Sequence, residues 1–309
     1  MIQMSEKVGQ FVVIMGNPYS GGRDNRSQVQ QLVSALHDLQ IATQVIWDIK
    51  ERATCLADMQ WRQRCRCLVI AGGDGTVAGV VTLCRDLPVA ILPLGNENLL
   101  AKELGFTCHA SAMACAIAHG QTRRIDLGQV NGRPFTIMVS CGLDADVVQR
   151  VTQWRKTLKG QRRVTHYSYL KPALQSIWSY DFSKFTLKTD DQQVQGYQLL
   201  VFNMNRYARG LNFVPDAKVD DGLLHWLVWQ KPGRLNLLRL LWLVKQGRHV
   251  NHKHVVMGKA KCVTVTASDD AVVQVDGDLL GETLVNLSCE GGALEVIDLS
   301  TASLGVPLV

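Results

Sequence analysis

Three short apolar runs in the first third of the chain each stop at a glycine-rich turn and hand over to a helical stretch. Val8 to Met15 ends in Gly16-Asn17-Pro18-Tyr19-Ser20-Gly21-Gly22, ahead of Ser27 to Leu39. Cys67 to Ala71 ends in Gly72-Gly73-Asp74-Gly75-Thr76, ahead of Val77 to Arg85. Val89 to Leu92 ends in Pro93-Leu94-Gly95-Asn96-Glu97-Asn98, ahead of Leu99 to Leu104. A short continuous apolar run, a glycine turn and then apolar spacing of helical period describe alternating strands and helices, and hence a parallel sheet covered on both faces. Thr43 to Trp47 reads as one more strand and Ala53 to Cys65 as a single helix. In such sheets ligands sit beyond the carboxyl ends of the strands, where all three turns fall.

The turns carry phosphate-binding chemistry. Glycine lets backbone approach a polyphosphate closely, and a helix beginning just after Gly75-Thr76 aims free N–H groups and partial positive charge at it. Asp74 is a poor direct partner for an anion, so orienting loops or a magnesium ion is the task it suits. Asn17, Ser20, Gly21 and the amides of Asn96 and Asn98 are short donors. No Gly-Lys-Ser/Thr follows any turn, which excludes a Walker A loop.

From about Gly128 the texture changes to short β-rich runs: Phe135 to Val139, Phe182 to Lys188, Tyr197 to Phe202, Leu223 to Val228, Lys261 to Ala267, Ala271 to Val275 and Leu294 to Leu299. Helical insertions interrupt them around Val147 to Tyr180 and Gly233 to Gln246. With 309 residues, two domains are expected: an α/β domain over 1–127 and a mostly antiparallel β domain over 128–297, with 298–309 returning to the first. No apolar run approaches the roughly 18 residues needed to span a bilayer. No secretory leader is evident, so a cytoplasmic protein is expected. The nine cysteines are scattered without a C-x-x-C pair and read as reduced; neither Cys65 and Cys67 nor His249, His252 and His254 form a convincing metal set.

The net charge of +6 is concentrated in two acid-free stretches, Asp146 to Asp181 and Asp221 to Asp269. The second carries Lys231, Arg234, Arg239, Lys245, Arg248, Lys253, Lys259 and Lys261 among Trp226, Trp229 and Trp242. Basic side chains near an anionic bilayer contribute about 1 kcal/mol each, and tryptophan favours the headgroup level. Peripheral membrane attachment competes here with a solvated basic face. Nucleic acid, which the same field would attract, is not the expected partner.

The motifs resemble those of the diacylglycerol kinase catalytic domain family, which includes bacterial lipid kinases and sphingosine kinases. The resemblance rests on Asn17-Pro18-x-Ser20-Gly21, Gly72 to Thr76, Pro93-Leu94-Gly95, Ile125-Asp126-Leu127-Gly128, Gly142-x-Asp144-Ala145, Pro215 to Leu224 and Val275-Asp276-Gly277-Asp278. It covers nearly the whole chain in order, and it implies an NAD kinase/diacylglycerol kinase-like α/β domain followed by a β-sandwich. It further implies that Asn17, Pro18, Ser20, Gly21, Gly72, Gly73, Asp74, Gly75, Thr76, Gly95 and Asn96 contact ATP. Asp276 and Asp278 would form the proton-accepting loop. Asp221, the carbonyl of Leu223 and the adjacent Asp220 would form a structural magnesium site. The implied activity is transfer of the γ-phosphate of ATP to a lipid hydroxyl, such as that of diacylglycerol, at an anionic membrane surface. A soluble-substrate kinase of the NAD kinase type and a nucleotide-binding regulator without turnover are the alternatives, and a homodimer is compatible with the sequence. Two departures stand out. Gly95-Asn96-Glu97-Asn98 replaces the family's usual Gly-Thr-Gly-Asn, and Asp278 replaces its usual glutamate, one methylene longer. Either Asp276 is then the base, or Asp278 acts through water. By residue type alone, Asp276-Gly277 is equally an ordinary hairpin turn.

Overall fold

A computed structural model of the chain describes residues 11–18, 20–22, 24–157, 180, 182–207, 210–267, 271–281 and 284–300. The chain divides into two units, one comprising the residues up to Ile125 together with those from Ala293 onward, the other Asp126 to Gly292. The return to the first unit therefore begins earlier than 298, inside the final strand.

The first unit is built from β1 (Phe11–Gly16), α1 (Arg26–Asp38), β2 (Ala42–Ile46), α2 (Ile49–Ala57), α3 (Met59–Arg64), β3 (Cys65–Gly72), α4 (Asp74–Leu83), β4 (Val89–Pro93), α5 (Leu99–Leu104), α6 (Ala110–His119) and the start of β5 (Thr122–Val130). Its strands are parallel in the order β2-β1-β3-β4, and Val296 near the chain's end pairs with Val89 beyond β4. Val12 to Met15 and Leu68 to Ala71 are wholly buried. Strands covered on both faces are uninterrupted apolar runs for this reason. Helix α1 turns Val29, Leu32 and Leu36 inward at spacings of three and four and packs with α6.

The helix expected over Ala53 to Cys65 is two helices. Asp58 interrupts it in an extended conformation, and its Oδ1 accepts from the N–H groups of Gln60 (2.9 Å) and Trp61 (3.2 Å) to start α3. Asp48 does the same for α2 through Lys50 (2.7 Å) and Glu51 (3.0 Å). An aspartate is worth more as a cap than inside a helix. Helix α6, made largely of alanine, was not anticipated.

The second unit continues with β6 (Arg133–Phe135), β7 (Met138–Cys141), α7 (Leu143–Thr157), β8 (Phe185–Lys188), β9 (Gln193–Gly196), β10 (Gln198–Phe202), β11 (Leu224–Trp229), α8 (Arg234–Lys245), β12 (Val255–Ala260), β13 (Cys262–Ala267), β14 (Val273–Val275), β15 (Asp278–Leu280) and β16 (Leu284–Ile297). One antiparallel sheet has the order β12-β11-β10-β7-β14-β15, and β16, β13, β8 and β9 are paired antiparallel in the other. Alternate residues of both sheets meet in one core: Val139, Leu199, Val201, Trp226 and Val228 with Phe135, Phe185, Leu187, Val263, Val265 and Val285. That is the packing of a β-sandwich, one face of each sheet turned inward. The strand expected over Phe135 to Val139 is broken at Thr136-Ile137, for a reason given below. Residues 158–179, most of the first helical insertion and the basic positions Lys159, Arg162, Arg163 and Lys171, lie outside the described residues, as do 301–309.

Candidate active site

The strand order of the first unit reverses direction between β1 and β3, so the crevice beyond their carboxyl ends is the place where an open α/β sheet binds ligand. The three glycine turns meet there. Asn17 N–H donates to the Ala71 carbonyl (2.9 Å), and Leu94 N–H donates to the Gly72 carbonyl (2.9 Å), which lashes the first and third turns to the end of β3. The approach is too close for side chains. A Cβ on Gly21, whose φ is +65°, would lie 2.6 Å from the Leu94 carbonyl oxygen, and one on Gly73 would lie 3.0 Å from the Cα of Gly95. A Cβ on Gly75, by contrast, would meet nothing within 4 Å. Gly75 therefore faces open space in the first turn of α4, at the helix end that carries partial positive charge.

Asp74 orients the loops, since its Oδ1 accepts from Leu100 N–H at the start of α5 (3.3 Å). Asn98, a candidate donor by sequence, closes its own turn instead: Oδ1 accepts from Gly95 N–H (2.8 Å), Nδ2 donates to the Gly95 carbonyl (2.9 Å), and its backbone is left-handed with φ +51°. Asn96, at the departure from the family pattern, is exposed, and Asn17, Pro18, Ser20 and Thr76 are half-buried around the same crevice. Arg52 had no signal in the sequence. Nearly buried, it donates through Nη2 to the carbonyls of Gly16 (2.6 Å) and Trp47 (3.2 Å), a fixed cation under the first turn whose pKa burial lowers against the pull of Asp48.

In the second unit Asp276 and Gly277 form a two-residue hairpin turn between β14 and β15, with Val275 opposite Asp278 and φ of +48° and +91° at the two corners. Positive φ at both corners is the turn that matches strand twist, and Asp-Gly is a preferred sequence for it. The two acids have different surroundings. Asp276 Oδ2 accepts from the N–H (2.7 Å) and hydroxyl (2.9 Å) of Thr136, and its Oδ1 accepts from Ile137 N–H and Met138 N–H, both at 2.9 Å. Three of these donors are backbone N–H groups at the break between β6 and β7, and the fourth is the hydroxyl of Thr136. Burial pushes the Asp276 carboxyl above the ordinary aspartate range, and the four donors act in the opposite sense. Asp278 is exposed.

Gln274 steadies the same turn. Its Oε1 accepts from Gly277 N–H (2.8 Å), and its Nε2 donates to Ser140 Oγ (2.8 Å) and Asp144 Oδ2 (2.9 Å). Asp144 also accepts from the hydroxyls of Ser140 (2.6 Å) and Tyr207. Asp126, 4% exposed, accepts from Gly222 N–H (2.6 Å) and Gly292 N–H (2.7 Å), tying the Pro215 to Leu224 segment to β16. Asp144 and Asp126 lie in motifs quoted from the sequence, but neither was a candidate site residue.

Magnesium at Asp220, Asp221 and Leu223 is tested by the donors these residues meet. Asp221 Oδ1 accepts from Leu223 N–H (3.1 Å), and Oδ2 accepts from Nε2 of the buried His225 (2.8 Å). Asp220 is exposed. Among the described residues no three or more His, Cys, Asp or Glu side chains gather as a metal cage. Magnesium demands a near-octahedral set of oxygens. A carboxylate engaged by an imidazole and a backbone N–H, beside a buried Asp126 whose two oxygens already accept from Gly222 and Gly292, does not fit it.

The two units, a parallel sheet with three glycine loops at its switch point and a sandwich bearing a braced acidic hairpin, correspond to two known domains. Residues 10–130 match the diacylglycerol kinase catalytic domain, and residues 137–298, more than half the chain, match the YegS C-terminal NAD kinase beta sandwich-like domain. The chain belongs to this diacylglycerol kinase-like family and is a kinase, with ATP the co-substrate that membership implies. Relatives include the diacylglycerol kinase of Staphylococcus aureus strain bovine RF122 / ET3-1, 25% identical over 88% of this chain and 87% of that one. The diacylglycerol kinase of Staphylococcus carnosus strain TM300 is 26% identical over 71% and 72%. A solved structure described as a putative diacylglycerol kinase from Bacillus anthracis str. Sterne shares the fold with a TM-score of 0.71 at 18% identity, covering 94% of this chain and 97% of that one.

Proposed function

We propose that the chain transfers the γ-phosphate of ATP, taken as its magnesium salt, to a hydroxyl of a lipid such as diacylglycerol at an anionic membrane surface. The observation that carries the lipid half of this reading is helix α8. Its inner face buries Leu237, Leu240, Leu243 and Val244, while Leu235 (82% exposed), Leu238 (45%) and Trp242 (53%), three and four residues apart, form an apolar stripe in solvent. Exposed Arg234, Arg239 and Lys245 flank it. An apolar stripe rimmed by cations is how a helix lies in the interface of an anionic bilayer. Among the described residues no helix is long and apolar enough to cross a membrane.

In the chemistry, N–H groups of the Gly72 to Thr76 turn and of the Asn17 to Gly21 turn, with Asn96 at the rim, hold the phosphates. The alcohol oxygen forms its bond to the γ-phosphorus as the bond to the ADP oxygen breaks, and the alcohol proton passes to a carboxylate. Asp278 is the acid that suits that role, because Asp276 already has four donors. Asp276 and Gln274 then act on the reaction by fixing the hairpin that carries Asp278.

Two measurements test this reading. The first follows labelled γ-phosphate into chloroform-soluble product in mixed micelles of diacylglycerol and anionic lipid, with wild type and Asp278→Asn compared. Label in the lipid phase, lost in a folded Asp278→Asn, is the expected result. Label that enters only water-soluble nucleotide would replace the lipid reading with the NAD kinase-like one, and nucleotide binding without any product would make the chain a regulator. The second is sedimentation with anionic vesicles, which Leu235→Glu combined with Trp242→Glu should weaken by more than 10-fold, on the order expected for burying two large apolar side chains.

A further inference from the structure

We propose that the side chain of His225 holds the Asp220 to Leu223 turn in place of a divalent cation, so that the second unit is stable without magnesium. The inference does not depend on which alcohol accepts the phosphate. It rests on who occupies the carboxylate of Asp221. His225 is the second residue of β11, 6% exposed, fixed by antiparallel pairing to Phe202 on one side and Lys259 on the other. Its Nε2 lies 2.8 Å from Asp221 Oδ2, and since a carboxylate only accepts, the imidazole is the donor. A cation on Oδ2 would have to sit where that N–H already points, or expel a buried imidazole and leave its nitrogen without a partner.

The rest of the turn is closed by protein donors as well. Asp221 Oδ1 takes the N–H of Leu223, the residue whose carbonyl would be a ligand, and the preceding N–H, that of Gly222, goes to Asp126 Oδ2. Asp126, the other inward carboxylate at this turn, is committed through its second oxygen to Gly292. Lys259, directly opposite His225 across the strand pair, adds positive charge on the neighbouring strand. Fixing the two oxygens of the acid, the task of a structural cation at such a turn, is done here by nitrogen donors of the chain.

The test uses the purified full chain without nucleotide. Thermal unfolding in chelator and in about 10 mM magnesium should give midpoints agreeing within about 1 °C, because a ligand that does not bind the native state does not shift it. Electron paramagnetic resonance should find no manganese bound stoichiometrically. A saturable rise of several degrees with magnesium in the wild type, abolished by Asp221→Asn, would overturn the proposal. His225→Asp sets a further carboxylate facing that of Asp221, and it should lose stability in chelator and recover on adding magnesium. A folded His225→Asp protein that magnesium does not restore would overturn the claim that the imidazole occupies the cation's place. Should that variant fail to fold, the wild-type titration decides the matter alone.

Discussion

Replacing Asp276 by asparagine changes one oxygen to an NH₂ with almost no change of volume, and it separates scaffolding from chemistry. The native carboxylate accepts from four groups, all at residues 136–138, which are themselves buried. An amide offers one accepting oxygen. If that oxygen keeps Ile137 and Met138, the NH₂ faces the Thr136 N–H, while the Thr136 hydroxyl can rotate to accept from it; one backbone N–H and one amide hydrogen are stranded. In the opposite orientation the N–H groups of Ile137 and Met138 both lose their acceptor. At about 1–3 kcal/mol for each buried polar group left unpaired, the better orientation still costs about 2–6 kcal/mol. The left-handed backbone at this position does not confuse the result, since asparagine tolerates it as well as aspartate. Urea denaturation of wild type and Asp276→Asn, with amide hydrogen exchange followed at Thr136, Ile137 and Met138, measures the loss. Destabilisation below about 1 kcal/mol, with those amides still protected and catalysis abolished, would refute the reasoning and return Asp276 to the chemistry.

Other outcomes follow from the same geometry. Gly75→Ala should fold with wild-type stability, because its Cβ meets nothing within 4 Å, yet weaken ATP binding at least several-fold in calorimetry by filling the space offered to phosphate. Gly73→Ala should instead be destabilised by about 1–3 kcal/mol, the range for overpacking, because the new Cβ lies 3.0 Å from the Cα of Gly95; equal melting temperatures for the two variants would contradict the convergence of the loops. Asp126→Asn keeps one acceptor for two backbone N–H groups and should cost about 1–3 kcal/mol in urea. Gln274→Met should leave the KM for ATP unchanged and lower kcat, with Gln274→Glu failing to restore it, because a carboxylate cannot donate to Ser140 and Asp144.

The parallel sheet could be read from the chain because its strands are buried on both faces, so that Val12 to Met15 and Leu68 to Ala71 are plain apolar runs. Its glycine turns were legible because close approach of backbone to backbone excludes other residues. The break at Asp58 is a contest between helix spacing and a cap, which spacing alone does not resolve. Strand β9, Gln-Val-Gln-Gly, has one core residue, and β12 is half-exposed, so neither stood out. Within the candidate site, residue type revealed the two acids of the hairpin but not their difference. That difference comes from Thr136 to Met138, some 140 residues away in the chain. Asp126 reaches partners 96 and 166 residues distant, and Arg52 reaches Gly16 across 36. Contacts of that range leave no local periodicity.

The most direct test of phosphoryl transfer to a lipid is the fate of labelled γ-phosphate when the purified protein is given ATP and a total lipid extract. A single chloroform-soluble phosphate monoester, formed by wild type and absent with folded Asp278→Asn, is what the account predicts. Label confined to the aqueous phase, or transfer undiminished in Asp278→Asn, would contradict it.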